Sequence, residues 1–138
     1  MFSHVTLGIS DIDRALAFYR PLMEALGWEE RWASREPPDL WAGFVVPGTA
    51  WPQFVVATPF GDGPPTPGNG TMVAFEVATR AEVAAAHAVA LARGGTDEGA
   101  PGLRPQYHPQ YYGAYLRDPD GNKLCVVRHA GGEPSETV

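Results

Sequence analysis

The segment 102–112, GLRPQYHPQYY, holds the densest group of polar aromatic side chains in the sequence. Three tyrosines, a histidine and an arginine occur there together with two prolines that restrict the backbone. Phenol, imidazole and guanidinium groups stack and form hydrogen bonds, so this set suits a small anionic or aromatic ligand. We therefore predict that Arg104, His108 and Tyr111 bind a ligand. The alternative is that they pin the loop against a sheet or form a dimer contact.

Three further candidates, His4, Met72 and Cys125, belong to predicted strands. The alternation of side chains along a strand places each of them opposite the apolar residues that pack under a helix. One imidazole and two sulfur atoms on neighbouring strands would suit a soft metal ion such as copper. The alternative, which we favour, is that Met72 and Cys125 fill space in a ligand pocket. His4 is then either a catalytic base or an ordinary strand histidine whose hydrogen bonds are satisfied.

Two other residues complete the candidate site. Glu76 shares a strand face with Met72 and would be a second catalytic base if burial raised the pKa of its carboxyl group. Such a carboxylate more often pairs with an arginine or reaches solvent. Trp41, together with Trp51, would supply an apolar wall for the ligand, unless both belong to the core or to a dimer interface.

The elements that position these residues follow from an internal repeat. The sequences HVTLGISD at 4–11 and MVAFEVAT at 72–79 each predict a strand that ends in a helix cap. An Ala-rich amphipathic helix follows each of them and ends at glycine, at Gly27 and Gly94. Strand-like runs then complete each half, so the sequence predicts an α+β fold of two βαβββ modules.

Turn-forming residues divide the chain. We expect the first module over residues 1–60, a Pro- and Gly-rich linker at 61–70, the second module over 71–130, and a flexible tail at 131–138. Within the second module, a short strand at 96–98 precedes a long ordered loop at 99–110. The last two strands are expected at 111–117 and 123–129.

Composition limits the classes of partner. The formal net charge of −6 argues against nucleic acid, because phosphate binding needs clustered Lys and Arg. No apolar run approaches the ~18 residues of a membrane span, and the N-terminus lacks a signal-peptide pattern. The single cysteine fits a reducing compartment. We expect a cytoplasmic protein that binds neither membranes nor nucleic acid.

Three motifs in this order resemble the vicinal oxygen chelate superfamily, which includes glyoxalase I, bleomycin-resistance proteins and extradiol dioxygenases. They are HVTLGISD at 4–11, AFY with Leu26-Gly27 in the first helix, and YLRDPDGN at 115–122. The resemblance covers nearly the whole chain. It implies paired βαβββ modules whose strands curl into a half-open barrel, often completed in a homodimer.

The resemblance also implies where a metal ion would bind. Members that use a metal take His from the first strand, often Glu from the last strand of module one, His from the strand opening module two, and Glu from the final strand. In this sequence, the positions that match those four ligands hold His4, Val56, Met72 and Cys125. One imidazole cannot hold a hard divalent ion alone, so we predict no metal, with His4 as the only retained ligand position.

These observations predict a superfamily member with a degraded metal site that binds a small aromatic or anionic molecule in the cup between its modules. We expect no cofactor and a homodimer. One alternative is a lyase, isomerase or dioxygenase of the glyoxalase type that uses one divalent metal ion. Another is a metal-free enzyme in which His4, Glu76 or His108 transfers a proton.

Overall fold

The computed structural model describes residues 1–130, and the predicted tail at 131–138 lies outside the described residues. The first module contains β1 (His4–Gly8), α1 (Ile12–Leu26), β2 (Glu29–Glu36), β3 (Asp39–Val45) and β4 (Gln53–Ala57). The second contains β5 (Met72–Glu76), α2 (Arg80–Ala92), β6 (Thr96–Leu103), β7 (Tyr112–Arg117) and β8 (Lys123–Arg128).

Each module forms one four-stranded sheet, in the orders β1-β4-β3-β2 and β5-β8-β7-β6. In both sheets the first strand pairs in parallel with the last strand of its module, and the other pairs are antiparallel. The prediction of an α+β fold with two βαβββ modules is confirmed. The sheets are open and cup-like. Within residues 1–130, no helix has the length and apolar character needed to cross a membrane.

The helix ends follow the sequence. The Asp11 carboxylate accepts hydrogen bonds from two backbone N–H groups of the first turn of α1, at 2.9 and 3.1 Å. Gly27 ends α1 in the left-handed conformation, with φ of 82°. The Thr79 hydroxyl accepts from the backbone N–H of Glu82 at 3.1 Å and caps α2. Both predicted helices are therefore confirmed with their caps.

A shared hydrophobic core joins the modules. The rings of Phe54 on β4 and Phe75 on β5 lie 5.1 Å apart, and Tyr19 of α1 packs against Phe54. These side chains belong to one buried cluster that includes both helices. The two sheets therefore meet through their helix-covered faces, and their open faces point away from the shared core.

The turn at 118–122 fastens the two modules together. The buried Asp118 carboxylate accepts hydrogen bonds from the Tyr19 hydroxyl at 2.5 Å and from Asn122 Nδ2 at 2.9 Å. Asn122 Nδ2 also donates to the Gly8 carbonyl oxygen of β1 at 2.9 Å. Burial, reinforced by the charge of Asp118, raises the pKa of Tyr19 well above its usual value. The phenol therefore remains a hydrogen-bond donor.

One predicted loop is partly wrong. The loop expected at 99–110 begins only after Leu103, because β6 continues through Pro101. Since β6 is the edge strand, a residue without an N–H group is tolerated there. The pairing of β6 with β7 is interrupted around Gly99, which hides the strand's alternation in the sequence.

Candidate functional site

Each open sheet face carries a separate cleft. The module-one cleft has a volume of about 1040 Å³, and the residues that define it here are His4, Thr6, Trp32, Trp41, Trp51 and Phe60. The module-two cleft has a volume of about 580 Å³ and is defined by Met72, Tyr107, His108, Tyr111, Lys123 and His129. Neither of these two clefts is lined by both modules, as the predicted cup between the modules would be.

Tryptophan side chains dominate the module-one cleft. Trp32 of β2 lies flat across Gly43 of β3, where any added Cβ atom would overlap the indole ring. Its Nε1 donates a hydrogen bond to Oε1 of Gln53 at 3.1 Å. The Trp41 ring meets Trp32 edge to face at 5.5 Å, and Trp51 is half-exposed at the opening. This arrangement presents broad apolar ring surfaces on one side of the sheet.

The segment that connects the modules forms another wall of the module-one cleft. Pro59, Phe60 and Pro65 line it, and the Phe60 side chain is fully exposed. A Cβ atom at Gly8 would lie 3.0 Å from Cβ of Pro65, so glycine permits this close approach. This role of the connecting segment was not predicted from the sequence. The available signal was a glycine facing outward at the end of the first strand, where an alternating strand would carry a side chain.

The candidate base His4 lies at the edge of the module-one cleft. Its ring is exposed, and its Nδ1 lies 2.9 Å from the Ser3 hydroxyl oxygen. This hydrogen bond orients the imidazole next to the tryptophan-lined surface. His4 is therefore placed to touch a ligand bound there.

Hydrogen-bonded phenols line the module-two cleft, and one thiol is buried beneath them. The hydroxyl oxygens of Tyr111 and Tyr115 lie 2.9 Å apart, and the Tyr111 hydroxyl lies 3.5 Å from Sγ of the fully buried Cys125. Burial and the contact with Cys125 raise the pKa of Tyr111 well above its usual value. Burial also raises the pKa of the Cys125 thiol. All three groups are therefore neutral near pH 7.

A pair of histidines closes one side of the module-two cleft. The backbone N–H of Gln110 donates to Nδ1 of His108 at 3.2 Å, so in a neutral ring the proton lies on Nε2. Nε2 of His108 lies 3.0 Å from Nδ1 of His129, so Nδ1 of His129 accepts a hydrogen bond from the Nε2–H group of His108. The loop after β6 is thereby attached to the end of β8.

The four metal-ligand positions implied by the family are best compared through the strand pairing of the two sheets. Thr6 pairs with Val55 in one sheet as Ala74 pairs with Cys125 in the other. The outward position that matches Cys125 is therefore Val55, whereas Val56 is buried in the core. The prediction of Val56 for this position is therefore wrong by one residue, because only the strand pairing fixes which residues face outward. Valine supplies no lone pair in either case.

The remaining donors are also separated. His4 lies in the module-one cleft, Met72 lies in the module-two cleft, and Cys125 is buried beneath tyrosines. Across residues 1–130, no three His, Cys, Asp or Glu side chains come together in a way that could hold a metal ion. Neither a hard divalent ion nor a soft ion fits this donor set within the chain.

The other predicted site residues divide between the clefts. Trp41 lines the module-one cleft, whereas Met72, His108 and Tyr111 line the module-two cleft. Arg104 packs its guanidinium 5.5 Å from the centre of the Tyr115 ring, and its Nη2 donates to the Ala100 carbonyl oxygen at 2.7 Å. Glu76 is exposed at the end of β5 and lines neither cleft. Trp32 and Lys123 line the clefts without having been singled out from the sequence.

Comparisons with known proteins agree with this fold. Residues 1–126 match the family model of the Glyoxalase/Bleomycin resistance protein/Dioxygenase superfamily. A glyoxalase/bleomycin resistance protein from Albidiferax ferrireducens T118 is 36% identical, with 93% of this chain and 98% of that chain covered and a TM-score of 0.81.

An enzyme of the same family from Burkholderia phytofirmans PsJN is 25% identical, with 92% of this chain and 97% of that chain covered and a TM-score of 0.68. A glyoxylase/bleomycin resistance protein/dioxygenase domain from Frankia sp. EAN1pec, at 20% identity and a TM-score of 0.70, shares the fold alone; 96% of this chain and 94% of that chain are covered. No curated protein gives a significant match. The chain belongs to the Glyoxalase/Bleomycin resistance protein/Dioxygenase superfamily.

Proposed function

We propose that this protein binds a small planar aromatic molecule in the module-one cleft and holds it without changing it chemically. The observation that carries the proposal is the surface built by Trp32, Trp41 and Trp51 in a cleft of about 1040 Å³. Ligand sites are typically concave and apolar, with a few polar groups that fix orientation. Here those polar groups are His4 and Thr6 of β1, which line the same cleft as the indole rings.

Exposure of the aromatic groups supports the same proposal. Trp51 retains 52% of its surface in contact with solvent, and Phe60 is completely exposed. Both line the module-one cleft, so a bound ring would cover apolar surface that is otherwise hydrated. Stacking against indole rings adds about 0.5–1.5 kcal/mol for each aromatic pair beyond the effect of burial.

We propose that a second copy of the chain completes the site in a homodimer. The two open sheet faces point away from the shared core, and each carries exposed apolar side chains, including Phe60 in one cleft and Tyr107 in the other. A partner placed over the module-one face would bury its exposed apolar side chains and enclose a ligand. Sedimentation velocity should give the mass of a dimer, and a monomer at micromolar concentration would contradict this part of the proposal.

The separated donors support binding without a cofactor. The family positions hold His4, Val55, Met72 and Cys125, and these side chains do not assemble around one ion within the chain. Metal analysis of the purified dimer tests this point. A stoichiometric divalent ion that is lost in a His4→Ala variant would favour the metal-dependent lyase, isomerase or dioxygenase instead.

His4 supports one second candidate function, a metal-free proton transfer on the bound ligand. Its ring lies in the same cleft as the three tryptophans and is oriented by Ser3. An imidazole is a common general base. Recovery of chemically altered ligand from the wild type, and of unaltered ligand from His4→Ala, would establish this activity.

The central experiment is a titration with a panel of planar aromatic antibiotics, followed by tryptophan fluorescence. We expect saturable quenching by at least one compound, and binding weaker by about tenfold in Trp41→Ala or Trp51→Ala. Tyr107→Ala is the matched control, because it removes an exposed aromatic ring from the other cleft. Equal losses in all three variants would contradict binding in the module-one cleft.

A further inference from the structure

We propose that the module-two cleft is a separate binding site for an anionic group, a carboxylate or a phosphate carried by a small molecule, and that Lys123 pairs with its charge. Lys123 is the only lysine in a chain whose formal net charge is −6. It lies at the start of β8 and lines this cleft. The proposal does not depend on stacking in the module-one cleft.

The charges around the cleft are unbalanced. Within residues 1–130, no aspartate or glutamate lines it, although acidic residues outnumber basic ones in the whole sequence. Arg117 also lines the cleft, but its Nε is paired with Glu98 at 2.7 Å. Lys123 forms no ion pair with any residue in the described part of the chain. Lys123 therefore carries the available positive charge.

Lys123 is partly buried and held against an aromatic ring. Its Nζ lies 5.4 Å from the centre of the Tyr115 ring, and the Arg104 guanidinium lies 5.5 Å from the same centre. Two cations beside one ring make the electrostatic potential around that ring positive. An anion that enters the cleft would therefore be attracted by both, and the partial burial of Lys123 reduces screening by solvent.

Neutral hydrogen-bond donors surround the charge. The hydrogen-bonding order of the histidine pair leaves the Nε2–H group of His129 without an acceptor among residues 1–130. Asn69 and Thr71 add amide and hydroxyl groups to the cleft lining. The set is thus matched to an oxyanion rather than to a cation.

The single lysine permits a direct test. Reductive methylation with ¹³C-formaldehyde labels Lys123 and the α-amino group while keeping both positively charged. In NMR titrations with benzoate, phenyl phosphate and inorganic phosphate, we expect a saturable shift of the Lys123 methyl signal and none at the α-amino group. The compounds that saturate will distinguish carboxylate from phosphate ligands. Shifts that never saturate, that occur equally at both amines, or that are equally large with neutral benzyl alcohol would overturn the proposal.

A charge-matched pair of variants gives the second measurement. Lys123→Gln and Arg93→Gln each remove one positive charge, and Arg93 lies exposed at the end of α2, outside both clefts. We expect the affinity for the saturating anion, measured from amide shifts, to fall about tenfold or more in Lys123→Gln and to be unchanged in Arg93→Gln. Equal affinities in the two variants would overturn the proposal. Quenching by aromatic ligands in the module-one cleft should be unchanged in both variants. The proposals for the two clefts can therefore be contradicted independently of each other.

Discussion

The two clefts use equivalent backbone positions for different chemistry. In module one, Trp32 on β2 pairs with Gly43 on β3, and the indole covers the glycine. In module two, the same register pair is Gly99 on β6 and Tyr115 on β7, so the aromatic residue and the glycine have changed places. The exchange gives one cleft an apolar indole surface and the other a row of phenol groups.

A second pair of equivalent positions differs in charge. Gln53 pairs with His4 at the edge of the first sheet, and Lys123 pairs with Met72 at the edge of the second. Both ends of the Gln53 amide are used, by Trp32 at 3.1 Å and by the Ala50 carbonyl oxygen at 3.2 Å. One repeated fold can thus present two clefts with different linings, because a few outward positions determine which groups line each cleft.

The largest loss of stability is expected when the hydrogen-bond network that joins the two modules is changed. Asp118→Asn replaces one acceptor oxygen with a donor inside a buried network that holds Tyr19 and Asn122. We expect a loss of about 3 kcal/mol in the free energy of unfolding, measured by urea denaturation. Asp62→Asn, in the exposed connecting segment, is the control and should change it by less than about 0.5 kcal/mol. Similar losses in both variants would contradict the role of the turn.

Filling the two equivalent glycine positions tests the exchange of ring and glycine. In Gly43→Ala the new methyl group would overlap the rigid indole of Trp32, so we expect a loss of about 2 kcal/mol and altered tryptophan fluorescence. In Gly99→Ala the nearest atoms, in Arg104 and Tyr115, lie at 3.2 Å, and we expect a loss below about 1 kcal/mol. Thermal and urea denaturation measure both. A larger loss for Gly99→Ala would show that the rings are not arranged in this way.

The paired edge positions separate a structural role from a binding role. Gln53→Leu removes two hydrogen bonds and should cost about 1–2 kcal/mol in the free energy of unfolding. Lys123→Met removes no ion pair made by residues 1–130, so we expect less than about 0.5 kcal/mol. Urea denaturation measures both variants. A larger loss in the free energy of unfolding for Lys123→Met than for Gln53→Leu would contradict a structural role for Gln53 and a binding role for Lys123.

The smallest effect concerns how each helix is tied to its sheet. Module one uses Arg20 and Glu30 at 2.6 Å, whereas module two uses His87 and Asp97 at 3.0 Å. Hydrogen bonds from the Gly99 backbone N–H and from His87 lower the pKa of Asp97. Its contribution to stability is therefore present above the unfolded pKa of about 3.9 and is lost as the pH falls through the folded value.

We expect the melting temperature of Asp97→Asn to fall less than that of the wild type between pH 5 and pH 2.5. The control Asp62→Asn should follow the wild type. Differential scanning calorimetry across this range measures the difference. A wild-type profile identical to that of Asp97→Asn would contradict the lowered pKa.

The fold could be predicted because its signals are local. The strand alternation at 4–11 and 72–79 and the caps Asp11 and Thr79 depend on nearby residues, and the structure has them where the sequence indicates. The end of β6 was missed because Pro101 and an irregular pairing conceal an edge strand. Local patterns thus predict elements better than they predict their ends.

The candidate site was harder to predict because it depends on strand register and on distant segments. Val56 was chosen in place of Val55 because only the pairing with Thr6 identifies the outward residue. The wall formed by Phe60 and Pro65 could not be predicted, because it depends on how the connecting segment crosses β1. The placement of Trp32 over Gly43 follows from pairing between two strands, which no single strand reveals.

The most direct test is a crystal structure of the protein with a planar aromatic antibiotic that quenches its tryptophan fluorescence. We predict an unmodified ligand whose ring lies against Trp41 and Trp51 in the module-one cleft, with no metal ion bound to His4. A ligand seated on Tyr107 and Tyr111, or a divalent ion joining His4 to the ligand, would contradict the account.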